Sequence, residues 1–69
     1  MNCYIGKYIV IGRDYKVTDL CEFVGISRTA YYNILNGKSV PSLGVAFRIA
    51  NYISKLVKFD VYAEDIWRE

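Results

Sequence analysis

The chain has 69 residues, of which 54% are apolar, and these values indicate one compact domain, residues 1–69, and exclude a disordered tail. No apolar run reaches the ~18 residues of a membrane span and no positive cluster precedes a cleavage site of small residues, so we expect a soluble, cytoplasmic protein with no membrane partner. The net charge is only +2, and two cysteines without any histidine provide neither a zinc-ligand set nor a disulfide framework.

The N-terminal segment, residues 2–13, is compatible with a helix and with a strand. Ile5, Tyr8 and Ile9 have the spacing of one helical face. The β-branched and aromatic residues at positions 8–11 and the two glycines of the segment favour a strand instead. We predict a helix here, and a strand in its place would alter the packing without changing the motif that follows.

Two short helices are predicted in the middle of the chain. The first has apolar residues at i, i+3, i+4 and i+7, and Gly25 ends it because glycine readily adopts the left-handed conformation. Ser27 is the candidate N-cap of the second helix, which Asn36 and Gly37 end. Only about three residues join the helices, so they must cross sharply, and Val17–Asn36 is predicted to be a helix-turn-helix. The apolar positions are Val17, Leu20, Cys21 and Val24 in the first helix and Ala30, Tyr31, Ile34 and Leu35 in the second.

Two further helices are predicted after this motif. One opens at Pro41 and Ser42, with Ser42 as its cap, and residues 55–60 are expected to form the connection that follows it. A last short helix is expected over about Tyr62–Trp67, with Asp60 near its positive N-terminal end. The expected core positions of these helices are Leu43, Ala46, Phe47, Ile49, Ala50 and Ile53 in the first, and Val61, Ile66 and Trp67 around the second.

Positive charge is concentrated in the middle of the chain. Residues 1–22 carry no net charge, residues 23–59 carry +5 without any acidic residue, and residues 60–69 carry −3. A basic segment between a neutral and an acidic end suits a polyanion bound at one surface. The charge pattern alone also fits a chance distribution, so the case for nucleic acid depends on the motif.

The segment from Val17 to Lys38 resembles the Cro and phage-repressor helix-turn-helix family, of the lambda-repressor-like or XRE type, and the resemblance extends to about Trp67, some three quarters of the chain. The resemblance implies an all-α bundle of about five short helices and a DNA-binding transcription regulator in a phage, plasmid or mobile-element setting. Cys21 replaces the alanine usual in the first helix, and Arg13 lies closer to Leu20 than the family pattern places its arginine, so Arg13 receives no role. The matching positions are Leu20-Cys21, Gly25, Ser27-Arg28, Ile34, Asn36-Gly37-Lys38 and Pro41.

The second helix of such a motif lies in the major groove and presents its N-terminal residues to the base edges. Arginine bonds bidentately to guanine, asparagine bonds to adenine, and the methyl group of threonine contacts thymine. For Arg28 the alternative is an ordinary solvated charge, and for Tyr32 a phosphate contact and simple exposure to solvent both stay open. The expected base-contacting residues are Arg28, Thr29, Asn33 and Tyr32.

Phosphate contacts are expected around the helix ends, where backbone N–H groups and cations face outwards. Only about three or four phosphates would be neutralised by each copy, which gives weak binding, so we expect a homodimer, at least on DNA, and a palindromic site. The expected phosphate-contacting residues are Lys38, Asn36, Gly37, Thr18, Lys16, Val17 and Ser27. Candidates for the dimer interface are Tyr52, Phe59, Tyr62 and Trp67, with ordinary core packing as the alternative.

The leading functional hypothesis is a repressor that occupies an operator on double-stranded DNA. A chain of this length has no room for a separate sensing domain, so we expect occupancy to follow protein concentration. The alternative is a protein-interaction module, such as an antitoxin or adaptor, whose acidic residues 60–69 dock a basic partner. An enzyme, a cofactor, a metal and a small-molecule substrate are not expected, because Cys21 has no base partner and the Gly-rich loops of nucleotide binders are missing.

Overall fold

The computed structural model describes residues 2–9 and 15–68. Within these ranges the chain forms five helices and one short antiparallel pair of strands, so the expected all-α bundle is confirmed. The part of the N-terminal prediction that concerns residues 10–13 lies outside the described residues. The elements are β1 (Asn2–Cys3), α1 (Ile5–Ile9), α2 (Val17–Val24), α3 (Arg28–Leu35), α4 (Leu43–Val57), α5 (Ala63–Ile66) and β2 (Trp67–Arg68).

The N-terminal segment contains both structures that the sequence left open. Residues 5–9 form α1, as predicted, and Ile5 is fully buried against the other helices. Ahead of the helix, β1 pairs with β2, with Cys3 opposite Trp67. The N–H of Tyr4 extends this pairing by donating to the carbonyl of Ile66 at 2.7 Å. The pairing of β1 with β2 therefore holds the segment before α1 next to the segment after α5.

The turn between α2 and α3 has the geometry that its residues predict. Gly25 has a φ of 84° in the left-handed region, and its N–H donates to the carbonyl of Cys21 at 2.7 Å. Ser27 caps α3, because its hydroxyl oxygen accepts a hydrogen bond from the N–H of Ala30 at 3.1 Å. The predicted helix-turn-helix is confirmed at both of these positions.

Helix α4 is the central element and packs against α1, α2 and α5. Ala46, Ile49, Ala50, Ile53 and Val57 form its buried stripe. The stripe shows that α4 continues through residues 55–57, so the prediction of a connection there was wrong. The helix ends where Lys58 adopts a φ of 64° and donates its N–H to the carbonyl of Ser54.

The prediction that Leu43 and Phe47 belong to this stripe was also wrong, since these side chains are 70% and 53% exposed. At about 100° per residue, Phe47 lies far around the helix from the line through Ile49 and Ile53. Leu43 is the first residue of α4 and projects past the end of the core. Both side chains therefore add to an exposed apolar surface.

The segment after α4 is held by one side chain. The single hydroxyl proton of Ser54 is shared between the carbonyls of Ala50 and Val61, at 2.8 and 3.0 Å, and the hydroxyl oxygen accepts from the N–H of Val61 at 2.8 Å. The last helix, α5, is shorter than predicted, and its entry is fixed by Asp65, which accepts from the N–H of Tyr62 at 3.0 Å. Asp65 therefore places a carboxylate in the first turn of α5, and Asp60 precedes the first residue of this helix by three positions.

The core joins all five helices. Among the described residues, no helix combines the length and the apolar character needed to cross a membrane. The expected burial of Cys21 and Tyr31 is confirmed, and Tyr52 and Trp67 pack against the core as half-buried residues. The buried residues of the cluster are Ile5, Leu20, Cys21, Val24, Tyr31, Ile34, Ile49, Ala50, Ile53, Val57, Val61 and Ile66.

Candidate nucleic-acid interface

Helix α3 has one exposed face and one buried face. Successive residues of a helix are about 100° apart, so positions 28, 29, 32, 33 and 36 fall within one arc of about 140°. The opposite side packs inwards, with Tyr31 and Ile34 buried and Ala30 and Leu35 half-buried. The four residues expected to contact bases therefore lie on the side of α3 that is not used to build the fold.

The exposure of these four residues differs. Arg28, Thr29 and Tyr32 are exposed, and the ring of Tyr32 stacks at a tilt on Tyr31 with 5.6 Å between centroids. Asn33 is half-buried, and its carbonyl accepts hydrogen bonds from the N–H groups of Lys38 and Ser39 at 2.8 and 3.2 Å. The backbone of Asn33 is thus part of the turn after α3, while its side chain remains on the outer arc.

The turn after α3 uses its own backbone donors. The N–H groups of Asn36 and Gly37 donate to the carbonyls of Tyr32 and Ile34, at 2.9 and 3.1 Å. Gly37 adopts a φ of 75°, in the region that favours glycine. The N–H groups of residues 36–39 are therefore engaged within the protein, whereas the side chains of Asn36 and Lys38 are exposed.

The beginning of α2 presents a second set of polar groups. Lys16 and Thr18 are exposed, and Val17 is half-buried against the core. Lys16 is the N-cap residue, with extended backbone and no side-chain hydrogen bond across the helix end. The first N–H groups of a helix have no partner within it, and the helix dipole favours an anion there. This end of α2 is suited to a phosphate group.

Thr18 and Arg28 come together although ten positions separate them in the chain. They line a shallow depression of about 410 Å³ between α2 and the start of α3, with Cys21, Glu22, Gly25 and Ile26. Burial raises the pKa of the Cys21 thiol, and the nearby Arg28 guanidinium opposes that rise. The Arg28 guanidinium is therefore close enough to Cys21 to offset part of the rise in the pKa of this thiol, although the Arg28 side chain is exposed to solvent.

Two long-range contacts that support the motif were missed from the sequence. The hydroxyls of Tyr15 and Tyr31 are 2.6 Å apart, and an Nη atom of Arg48 donates to the carbonyl of Val24 at 3.3 Å. The sequence indicated part of the contact between Tyr15 and Tyr31, because a buried tyrosine needs a partner for its hydroxyl. The sequence has seven tyrosines and many other polar residues, so this signal does not identify the partner.

A family model described as helix-turn-helix matches residues 7–55, which is more than half of the chain. The match contains α2, α3 and most of α4, the elements that form the exposed arc and its support. No curated protein and no solved structure matches the chain significantly. The chain belongs to the XRE, or lambda-repressor-like, helix-turn-helix family of DNA-binding transcription regulators.

Proposed function

We propose that the protein is a sequence-specific repressor that inserts α3 into the major groove of its operator. The observation that carries this proposal is the division of α3 into a buried face and an outer arc that holds Arg28, Thr29 and Tyr32. A helix of eight residues that is anchored along one side can enter a groove about 12 Å wide with its other side forward. A regulator of this kind acts where the cell keeps its DNA, which for a phage or plasmid operator is the cytoplasm.

The outer arc supplies donors and acceptors for base edges. Arg28, at the first position of α3, reaches furthest and is assigned to a bidentate contact with guanine. Thr29 offers a methyl group to thymine, and the amide of Asn33 pairs with adenine. Tyr32, with its ring held beside Tyr31, completes the surface at the edge of the groove.

Phosphate contacts are assigned mainly to side chains. Lys38 and Asn36 bind one strand from the turn after α3, since the N–H groups of this turn, including that of Gly37, already donate inside the protein. Lys16 and Thr18 bind a phosphate at the start of α2, helped by the N–H of Val17 in the first turn of the helix. The Ser27 hydroxyl accepts from Ala30 and keeps its own proton for a phosphate oxygen.

We assign the operator-bound form to a homodimer on a palindromic site. Each copy neutralises about three phosphates, and an interface of this size needs a second half-site for strong binding. An exposed apolar surface that includes Leu43, Phe47 and Tyr62 supports this assignment, and Phe59, also expected at the interface, is exposed as well. Two grooves of about 390 and 360 Å³ cross this surface, and Leu43 lines both of them. A projecting side chain beside a groove suits a two-fold interface, in which each copy provides both.

The decisive experiment is selection of bound sequences from random double-stranded DNA, followed by titration of the selected site. The wild type should enrich two inverted half-sites with centres ~34 Å apart. Arg28→Ala combined with Asn33→Ala should lower affinity for that site by at least about thirtyfold, since each bidentate base contact contributes about 1–3 kcal/mol and the two together at least about 2 kcal/mol. The matched control is Lys58→Gly with Lys55→Gln, which removes two exposed cations outside α3 and outside both grooves. Equal binding by both double variants would remove α3 from the interface.

The second candidate function is a protein-interaction module, such as an antitoxin or adaptor. The observation that favours it is the acidic C-terminal part, where exposed Asp60 and Glu64 lie near exposed Phe59 and Tyr62. Absence of DNA binding by the wild type at low salt, where charge attraction is strongest, would favour this module over the repressor.

A further inference from the structure

A hydrogen bond between two tyrosines joins the recognition helix to the segment that leads into the motif. The hydroxyl oxygens of Tyr15 and Tyr31 are 2.6 Å apart, which is short for a contact between hydroxyls. Tyr31 lies on the inner face of α3 and is fully buried, whereas Tyr15 is half-buried just before the N-cap of α2. The bond thus spans 16 positions of the chain.

One of the two hydroxyls donates to the other, and this bond gives the hydroxyl of the fully buried Tyr31 a partner within the protein. Both phenols are neutral at physiological pH, because the usual tyrosine pKa of about 10 lies well above it and burial raises the pKa of both further. Replacing Tyr15 by phenylalanine removes this partner from the hydroxyl of buried Tyr31, and replacing Tyr31 removes the same bond from the other side. The hydrogen bond therefore favours one relative position of the Tyr15 and Tyr31 hydroxyls.

The other residues on the inner face of α3, Ala30, Ile34 and Leu35, are apolar. Ile34 is buried in the main cluster, and Leu35 packs against it. Apolar burial is strong but has no direction, so it permits a helix to rotate slightly about its axis with little loss. A hydrogen bond near its ideal length does not permit this, because it weakens steeply as its angle and distance change.

The bond also links the two regions assigned to DNA. Tyr15 is adjacent to Lys16, which is placed at a phosphate, and Tyr31 is adjacent to Tyr32, which lies on the outer arc. A rotation of α3 relative to the start of α2 would move the outer arc while the phosphate anchor stayed in place. Base contacts require accurate placement, whereas contacts between a cation and a phosphate tolerate small shifts.

We propose that Tyr15 is a positioning residue for DNA recognition, because its hydrogen bond to Tyr31 sets the rotation of α3 relative to the phosphate anchor at the start of α2. This inference rests on the proposed function and names a residue that contacts no base. It predicts a loss of sequence discrimination without a loss of general DNA binding. Tyr15→Phe keeps the ring and the charge, so the attraction that produces binding to random DNA is unchanged.

The experiment measures two dissociation constants for each variant, one for the selected site and one for random DNA of equal length. For Tyr15→Phe we expect the ratio between them to fall about tenfold, the effect of a single poor base contact, with affinity for random DNA within about twofold of wild type. Tyr31→Phe removes the same bond and should produce the same fall. The variant with both substitutions should be no worse than either alone. Tyr8→Phe is the matched control, since Tyr8 is also half-buried against the core.

The outcomes separate this inference from the proposed function. Absence of a preferred site for the wild type contradicts the proposed function and leaves nothing for Tyr15 to position. A preferred site for the wild type, with an unchanged ratio in Tyr15→Phe, overturns the inference alone. An equal fall in both affinities also overturns it, because that is what a smaller folded fraction would cause. Circular dichroism at the temperature of the titration establishes that fraction, and amide chemical shifts of residues 28–35 report directly whether α3 has moved.

Discussion

The guanidinium of Arg48, on α4, lies at the C-terminal end of α2, where it donates a hydrogen bond at 3.3 Å to the carbonyl of Val24. The last carbonyls of a helix have no partner within it, and a cation there also interacts favourably with the helix dipole. Gly25 follows immediately and turns the chain towards α3. Arg48 therefore stabilises the turn of the helix-turn-helix through a contact from α4. It is one of the five positive charges of the central basic segment, and its contact is with the protein itself.

Arg48→Met should lower the free energy of unfolding by about 1 kcal/mol, because the substitution removes a charge-assisted hydrogen bond at a partly solvated site. Urea denaturation measures the change. Lys55→Met, which removes another cation of α4, one that lies over the ring of Phe23, should have a smaller effect. An Arg48→Met midpoint equal to that of wild type would show that the contact with Val24 has no net value.

Gly25→Ala should destabilise the protein by about 1 kcal/mol through backbone conformation alone. A Cβ atom added at Gly25 meets nothing within 4 Å, so crowding is not the cause, whereas the φ of 84° disfavours any L side chain. Gly25→Asn should recover part of the loss, since asparagine tolerates this region better than alanine. Thermal unfolding of the two variants gives their order. A Gly25→Ala variant as stable as wild type would contradict this account.

The helix-turn-helix could be predicted from the sequence because its signals are local. Gly25 and Ser27 act on their own stretch of backbone, and the spacing of apolar residues identifies the inner faces of α2 and α3. The four outer positions of α3 follow from the same spacing. Local signals also place Lys38 after the helix, but they do not show that the N–H groups around it donate inwards.

What could not be predicted depends on contacts between distant parts of the chain. Tyr15 and Arg48 act across 16 and 24 positions, and nothing near them in the sequence identifies their partners. The exposure of Leu43 and Phe47 could not be predicted either, because their apolar character predicted burial. Their exposure depends on where the core ends, which is a property of the assembled bundle.

Among substitutions in α4 that remove a single heavy atom, Ser54→Ala should have the largest effect and lower the free energy of unfolding by about 2 kcal/mol. The Ser54 hydroxyl bonds to both the N–H and the carbonyl of Val61, which is buried, and alanine would leave these two groups without a partner. Denaturant unfolding measures the loss. Ser39→Ala, at an exposed position after α3, should change stability by less than about 0.5 kcal/mol. Equal effects of the two substitutions would show that the link between α4 and α5 does not depend on Ser54.

Alkaline pH should destabilise the fold through its buried tyrosines. The pKa values of Tyr15 and Tyr31 are raised above their usual value of 10.0, mainly by burial, so the unfolded chain loses these protons first. Stability from their protonated forms is fully present below pH 10 and is lost as the pH rises beyond it. The raised pKa values of Cys3 and Cys21 start the same loss at about pH 9.

The contribution of Tyr31 can be isolated with Tyr31→Phe. This variant should be less stable than wild type at pH 7, because the hydrogen bond to Tyr15 is gone. Its free energy of unfolding should nevertheless fall less steeply above pH 10, by up to about 1.4 kcal/mol per pH unit. Denaturant titrations at pH 7, 10 and 11 give both quantities. Parallel pH profiles for the two proteins would show that Tyr31 does not ionise differently in the folded and unfolded states.

Leu43→Glu should weaken the operator-bound dimer without harming the fold. Leu43 is 70% exposed, lines both grooves and occupies the first position of α4, where a carboxylate suits the helix dipole. In a two-fold interface the substitution acts twice, so cooperative binding to the full palindrome should be lost while binding to an isolated half-site persists. Sedimentation of protein with DNA of each kind distinguishes one bound copy from two.

Lys58→Gln is the control, since it lowers the net charge by the same amount at an exposed position after α4. Two copies of Leu43→Glu bound with wild-type affinity would exclude this surface as the interface, and one wild-type copy on the palindrome would exclude the dimer itself.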